Sequence, residues 1–167
     1  MSDELTELAA ALGAQLRARD LRIATAESCT GGLVAHAITE IAGCSDYFLG
    51  SIIAYSNESK VALLNVSEAT LALHGAVSSQ TALEMARGAL RTFGTHVAIG
   101  ITGIAGPGGG TRDKPVGLVY GALLIPGDTL VFEWRFAGDR SSIKLQTAVA
   151  VLRTLLKALS GDDGVTR

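Results

Sequence analysis

The sequence lacks most of what would mark a membrane, metal or nucleic-acid protein. No apolar run approaches the ~18–20 residues needed to span a bilayer, and the opening MSDELTELAA is not a secretory leader. A cytoplasmic protein with no membrane partner is expected. Aromatic residues make up 5% of the chain, too few for a platform on which single-stranded bases stack. Lys and Arg number 14 against 16 Asp and Glu, a formal charge of −2, so the basic excess of a nucleic-acid binder is missing. Two cysteines, Cys29 and Cys44, make neither a disulfide framework nor a zinc site by themselves. His36, His74 and His96 are scattered without ligand spacing. Neither a metal nor a cofactor is expected.

What is present is apolar mass and glycine. Apolar residues are 48% of 167, enough for one core, and a single domain is expected over residues 1–160 with a frayed tail at 161–167. Glycine accounts for 20 residues, well above the ~7% usual in globular chains.

Leu5, Leu8, Ala9, Leu12 and Leu16 recur at helical spacing and predict a helix over 3–18. Apolar runs at 21–26, 47–55 and 96–102 predict strands, each opening into a polar segment. Helical spacing returns at 33–43, from Ser79 to Phe93, and over about 140–159, with two short helices after Ser56 or Asn57 and after Ser67. The runs 116–125 and 129–136 flank Pro126-Gly127-Asp128 and predict a hairpin. This alternation implies an α/β fold, a three-layer α/β/α sandwich with a mainly parallel mixed sheet and a C-terminal β-hairpin. Such sheets bind ligands beyond the carboxyl ends of their strands. Both glycine-bearing polar segments, 27–32 and 103–110, fall there.

TAESCTGG places Ser28, Cys29 and Thr30 at a strand-to-helix turn before Gly31-Gly32. Any of the three could be a nucleophile; equally, a Ser or Thr could simply cap the helix. AYSNESK brings Tyr55 and Lys60 to the end of the next strand. An amine activates a serine only when deprotonated, which requires burial or neighbouring cations; taken alone, Lys60 reads as a solvated helix charge. GITGIAGPGGG fails the P-loop pattern, because Gly109 follows where Lys should stand, and Pro107 breaks the dinucleotide fingerprint. An apolar strand running straight into it favours a loop that cradles a ligand. In FAGDR, Asp139 can cap the last helix, while Arg140 either meets an anionic group or makes an exposed ion pair. Ser141-Ser142-Ile143-Lys144 matches S-x-x-K, a pattern common by chance, and is set aside.

Together and in order, TAESCTGG, GSIIAYSNESK, HGAVS, GITGIAGPGGG with KPVG, and FAGDR resemble the C-terminal domain of the competence/damage-inducible CinA family, over residues 5–159. The resemblance implies the stand-alone form, without the family's molybdopterin-binding-like partner domain. It implies a nicotinamide-nucleotide amidohydrolase converting nicotinamide mononucleotide and water to nicotinate mononucleotide and ammonia in pyridine nucleotide salvage, as a homodimer needing no metal. On that resemblance Ser28 is the nucleophile, with Lys60 and Tyr55 as activating partners. Thr30, Gly31, Gly32, Thr102, Gly103, Ile104, Ala105, Gly106 and Arg140 become the substrate-binding residues. Amides at Thr30–Gly32 or Thr102–Gly103 would hold the oxyanion, and those of 103–106 with Arg140 the phosphate. Two features depart from the pattern or vary: the 111–115 stretch with Arg112 and Lys114, and Lys144, where Arg is the family's frequent residue. The competing expectation is a nucleotide-binding or protein-interaction module without turnover. A phosphate-ester hydrolase would want clustered carboxylates, and the sequence has none.

Overall fold

The computed structural model describes residues 2–161. Helix α1 (Asp3–Ala18) begins where the Ser2 hydroxyl accepts from the Leu5 N–H, and it buries Leu5, Ala9, Leu12 and Leu16. The chain continues through β1 (Ile23–Glu27), α2 (Leu33–Thr39), β2 (Phe48–Ile53), α3 (Asn57–Leu64), α4 (Glu68–His74), α5 (Ser79–Phe93), β3 (Val97–Gly103), β4 (Leu118–Ile125), β5 (Asp128–Arg135) and α6 (Arg140–Ser160). The caps are local chemistry. Ser56, Ser67 and Asp139 accept from N–H groups of the first turns of α3, α4 and α6, and Ser78 does so for α5. Each satisfies a donor that the helix itself leaves unbonded. Helix α2 is shorter than its sequence pattern, ending at Thr39. Of the expected tail, Gly161 closes α6 in a left-handed conformation; residues 162–167 lie outside the described residues.

The sheet runs β2-β1-β3-β4-β5. β1 pairs in parallel with β2 and β3, and the hairpin adds two antiparallel pairings, β3 with β4 and β4 with β5. The mixed α/β sandwich is as the sequence predicts. Strand alternation sorts the two faces. Ile23, Ile99 and Ile101 join a large cluster with Leu5, Leu12 and Leu152, under α1, α2 and α6. Ala24, Ala26, Ala98 and Ala122 face Leu64, Met85 and Ala86, under α3 and α5. That second face is built of small residues, so α5 lies close on it: a Cβ on Gly100 would run into the Ala82 carbonyl.

Registration decides where the site can be. Glu27 stands opposite Ile53 on one side and Ile101 on the other. The residues beyond this row therefore emerge at one edge: Ser28 after β1, Ala54 and Tyr55 after β2, and Thr102 and Gly103 at the end of β3.

Candidate active site

Ser28 is the first residue beyond β1. Its N–H donates to the Ile101 carbonyl at 3.0 Å, and its own carbonyl accepts from Gly31 at 3.0 Å. The backbone is thus fixed on both sides, and the side chain turns toward α3.

There it meets Lys60, whose side chain is 1% exposed. Nζ lies 3.1 Å from Ser28 Oγ, 3.0 Å from the Ala54 carbonyl and 3.0 Å from the Tyr55 carbonyl. The lysine curls back beneath the turn that starts its own helix. Desolvation holds its pKa below the ordinary 10.5, because an ammonium loses its water there without gaining a carboxylate. Nζ donates to both carbonyls and to Ser28 Oγ. Once neutral, an amine still held by the two carbonyls has its lone pair for the Ser28 hydroxyl.

Tyr55 contributes differently from the expectation. Its main-chain carbonyl touches Lys60, but its phenol is on the surface, the residue being 59% exposed. The phenol oxygen accepts from Arg140 Nη2 at 2.6 Å, and no hydrogen bond joins it to Ser28 or Lys60. A relay through this hydroxyl therefore has no bonded path. Arg140, the first residue of α6, also donates from Nη1 to the Gly106 carbonyl at 2.8 Å. Both acceptors are neutral, and no carboxylate among the described residues forms an ion pair with Arg140 or Lys144. Their charges remain available to an anion. The half-buried Lys144 overhangs the Ser28 turn, since a Cβ on Gly31 would stand 3.5 Å from its Nζ.

The expected binding residues divide by what their groups already do. The Thr30 hydroxyl donates to Glu27 Oε2 at 2.7 Å and the Thr102 hydroxyl to the Ala76 carbonyl at 2.7 Å, so neither points free at a ligand. Gly31 N–H goes to Ser28 and Gly32 N–H to Glu27 Oε2 at 3.0 Å. Ile104 is engaged through both groups, its N–H with Leu118 of β4 and its carbonyl with Gly117 just before that strand. Among the described residues the N–H groups of Cys29, Thr30, Ala105 and Gly106 have no main-chain or side-chain oxygen acceptor. The available amides are fewer than the sequence promised, and they flank Ser28 and Arg140.

Glu27 was not singled out by its sequence. It is fully buried, and four donors from the turn and α2 converge on its carboxylate, the Thr30 hydroxyl and the N–H groups of Gly32, Val34 and Ala35, with the Thr25 hydroxyl of its own strand at 3.4 Å from Oε1. It caps α2 from the preceding strand, a role first allotted to Ser28 or Thr30. The available signal was an acidic residue ending an apolar run one position before a possible nucleophile. Cys29 is buried and its thiol is pushed up to about 12, mainly by desolvation, which disfavours the thiolate that a nucleophilic cysteine needs. Among the described residues no cluster of His, Cys, Asp and Glu could hold a metal ion, and no helix is long and apolar enough to cross a membrane.

The family model for the CinA C-terminal domain matches residues 5–159. The chain belongs to that family. A CinA-like protein of Syntrophomonas wolfei is 53% identical over 139 residues, covering 81% of this chain and 33% of that protein. A protein of Enterobacter agglomerans named nicotinamide-nucleotide amidohydrolase PncC is 48% identical over 154 residues, 92% of this chain and 94% of its own length. The chain thus spans about a third of the first curated relatives and nearly all of a shorter one. The family's fold is present too: the crystal structure of the competence/damage inducible protein CihA from Agrobacterium tumefaciens superposes with a TM-score of 0.92 at 43% identity, over 96% of this chain and 98% of that one.

Proposed function

We propose that the chain is a nicotinamide-nucleotide amidohydrolase that uses Ser28 as nucleophile and Lys60 as its base. The observation that carries the reading is the placement of Lys60 Nζ, 3.1 Å from Ser28 Oγ with two carbonyls on its other sides. The PncC relative, matched along nearly its whole length, supports the substrate.

In this mechanism neutral Lys60 takes the Ser28 proton as Oγ bonds to the carboxamide carbon of nicotinamide mononucleotide. The N–H groups of Cys29 and Thr30 bond the developing oxyanion, a contribution worth ~10²–10³ in rate per donor. The ammonium of Lys60 then gives its proton to the departing nitrogen, and ammonia leaves a nicotinoyl ester on Ser28. Water attacks that ester, Lys60 takes its proton and returns it to Oγ, and nicotinate mononucleotide is released. The pyridinium ring withdraws electrons from the amide throughout. Arg140, with Lys144 and the free amides of Ala105 and Gly106, binds the phosphate; Tyr55 orients Arg140 and lends its carbonyl to Lys60. The setting is pyridine nucleotide salvage in the cytoplasm, by a homodimer.

The test is ammonia release from nicotinamide mononucleotide in the presence of EDTA, for the wild type and Ser28→Ala together. Release by the wild type and none by a folded Ser28→Ala is the expected result. Near-normal turnover in Ser28→Ala sinks the nucleophile, and no turnover in a well-folded wild type favours a binding module.

A further inference from the structure

Among the described residues Glu27 is the one fully buried carboxylate, and the proposed chemistry does not use it. A charge with no water around it must be met by fixed donors, and among the described residues no cation forms an ion pair with Glu27. Oε2 accepts from the Thr30 hydroxyl at 2.7 Å, from Gly32 N–H at 3.0 Å and from Val34 N–H at 3.2 Å; Oε1 accepts from Ala35 N–H at 2.8 Å. These bonds close a ring of chain from residue 27 to residue 35, and Ser28 lies inside it.

The ring is needed because of what the turn is made of. Gly31 and Gly32 both stand at positive φ, 61° and 94°, and Gly32 has no side chain with which to cap α2. A glycine pair at a helix entry is otherwise free to move. The carboxylate supplies the missing cap from the strand side and ties down the Thr30 hydroxyl, leaving the Ser28 hydroxyl to Lys60. Of the amides in the segment, it takes those at 32, 34 and 35 and leaves those at 29 and 30, the two next to Ser28. We infer that Glu27 is a positioning residue, which holds the 28–32 turn so that Ser28 Oγ stays within reach of Lys60 while the Cys29 and Thr30 amides stay open. No hydrogen bond joins it to Ser28 Oγ or Lys60, and it acts through the turn. The inference rests on the reading of Ser28 as nucleophile.

The experiment measures kcat and KM on nicotinamide mononucleotide, with melting temperatures, for Glu27→Gln, Thr30→Val and Thr30→Ser, and Ser28→Ala as reference. Gln keeps the shape but turns an NH₂ toward donors that need an acceptor. Displacing a reacting group by about an ångström costs ~10²-fold, so Glu27→Gln should lose kcat by about that factor, with KM changed by no more than about twofold. Thr30→Val should lose part of kcat in the same way, and Thr30→Ser, which keeps the hydroxyl on Glu27, should recover most of it. A folded Glu27→Gln with wild-type kcat overturns the positioning role, as do equal losses in the two Thr30 variants. If Glu27→Gln fails to fold, the Thr30 pair decides alone. Activity surviving in Ser28→Ala overturns the nucleophile and the positioning role together; wild-type turnover in Glu27→Gln beside an inactive Ser28→Ala overturns only the latter.

Discussion

Two glycine-bearing turns meet at the carboxyl edge of the sheet, and they are held in opposite ways. The turn after β1 is fixed from within: a buried carboxylate gathers its donors, and Lys60 reaches Ser28 from below. The loop after β3 is fixed from outside. Arg140 of α6 takes the Gly106 carbonyl, β4 takes Ile104, and Lys114 reaches across to the carbonyls of His74 and Val77 at 2.6 and 2.8 Å. An internally braced turn keeps atoms at fixed distances, which bond-making requires. An externally tethered loop can leave amides unoccupied, here those of Ala105 and Gly106, which suits binding an anion. In the reading proposed above, kcat belongs to the first turn and KM to the second.

Lys60→Met should break the first turn's role most severely, lowering kcat by ~10²–10⁴-fold, the range for a lost general base, with KM little altered. The pH dependence follows from the lowered pKa. Activity requires the neutral amine, so kcat/KM of the wild type should rise as pH climbs through the folded value of Lys60, which lies below 10.5. The stability sign is separate. Between the folded value and 10.5 the unfolded chain binds the extra proton, so stability rises with pH there; the cost of burying the charge is absent above 10.5 and fully present below the folded value. Lys60→Met lacks that slope. Melting temperatures of wild type and variant, compared from neutral toward alkaline pH, should therefore move in the wild type's favour. A constant difference would place the proton elsewhere.

The second turn's role is sharpened by Arg140→Met. A hydrogen bond to a charged group is worth ~1.5–3 kcal/mol, so KM for nicotinamide mononucleotide should rise about 10–100-fold while kcat holds. The nicotinamide riboside, which has no phosphate, should be hydrolysed equally by variant and wild type. A fall in kcat matching that of Lys60→Met would erase the distinction between the turns, because it would mean that Arg140 acts on the reacting carbon through Tyr55.

The same contrast explains which parts of the molecule could be read from the chain. Caps are local, so Ser56 or Asn57, Ser67 and Asp139 announced their helices, and Ser56, Ser67 and Asp139 cap them. The hairpin was legible because Pro126-Gly127 interrupts two β-rich runs. Side-chain destinations were not. Lys60 looks like any helix lysine until β2 and the turn before α3 close over it, and Tyr55 and Lys60 diverge although they are five positions apart. Glu27 was unreadable for a related reason. Its four donors from the turn and α2 lie three to eight residues ahead, and only the folding of the glycine pair brings them round.

Lys114→Met should have the smallest effect, and its size measures how much the outside tethers depend on one another. The substitution keeps the apolar stem but removes two bonds from an ammonium to carbonyls, and those carbonyls belong to the turn whose Ala76 carbonyl already accepts from Thr102. The loop keeps Arg140 at Gly106 and β4 at Ile104, so only its outer part, residues 107–114, is released. Each lost bond is worth ~1.5–3 kcal/mol in net terms, being made by a charged group, but little of that reaches the amides at 105 and 106. KM should rise by only about two- to fivefold, with kcat unchanged. Limited proteolysis should register the release more strongly, as faster cleavage within the exposed Gly108–Asp113 stretch. If cleavage does not accelerate, the loop stands on Arg140 and β4 alone. If KM rises as far as in Arg140→Met, the phosphate is held by the whole loop as one body, and the tethers act as a set.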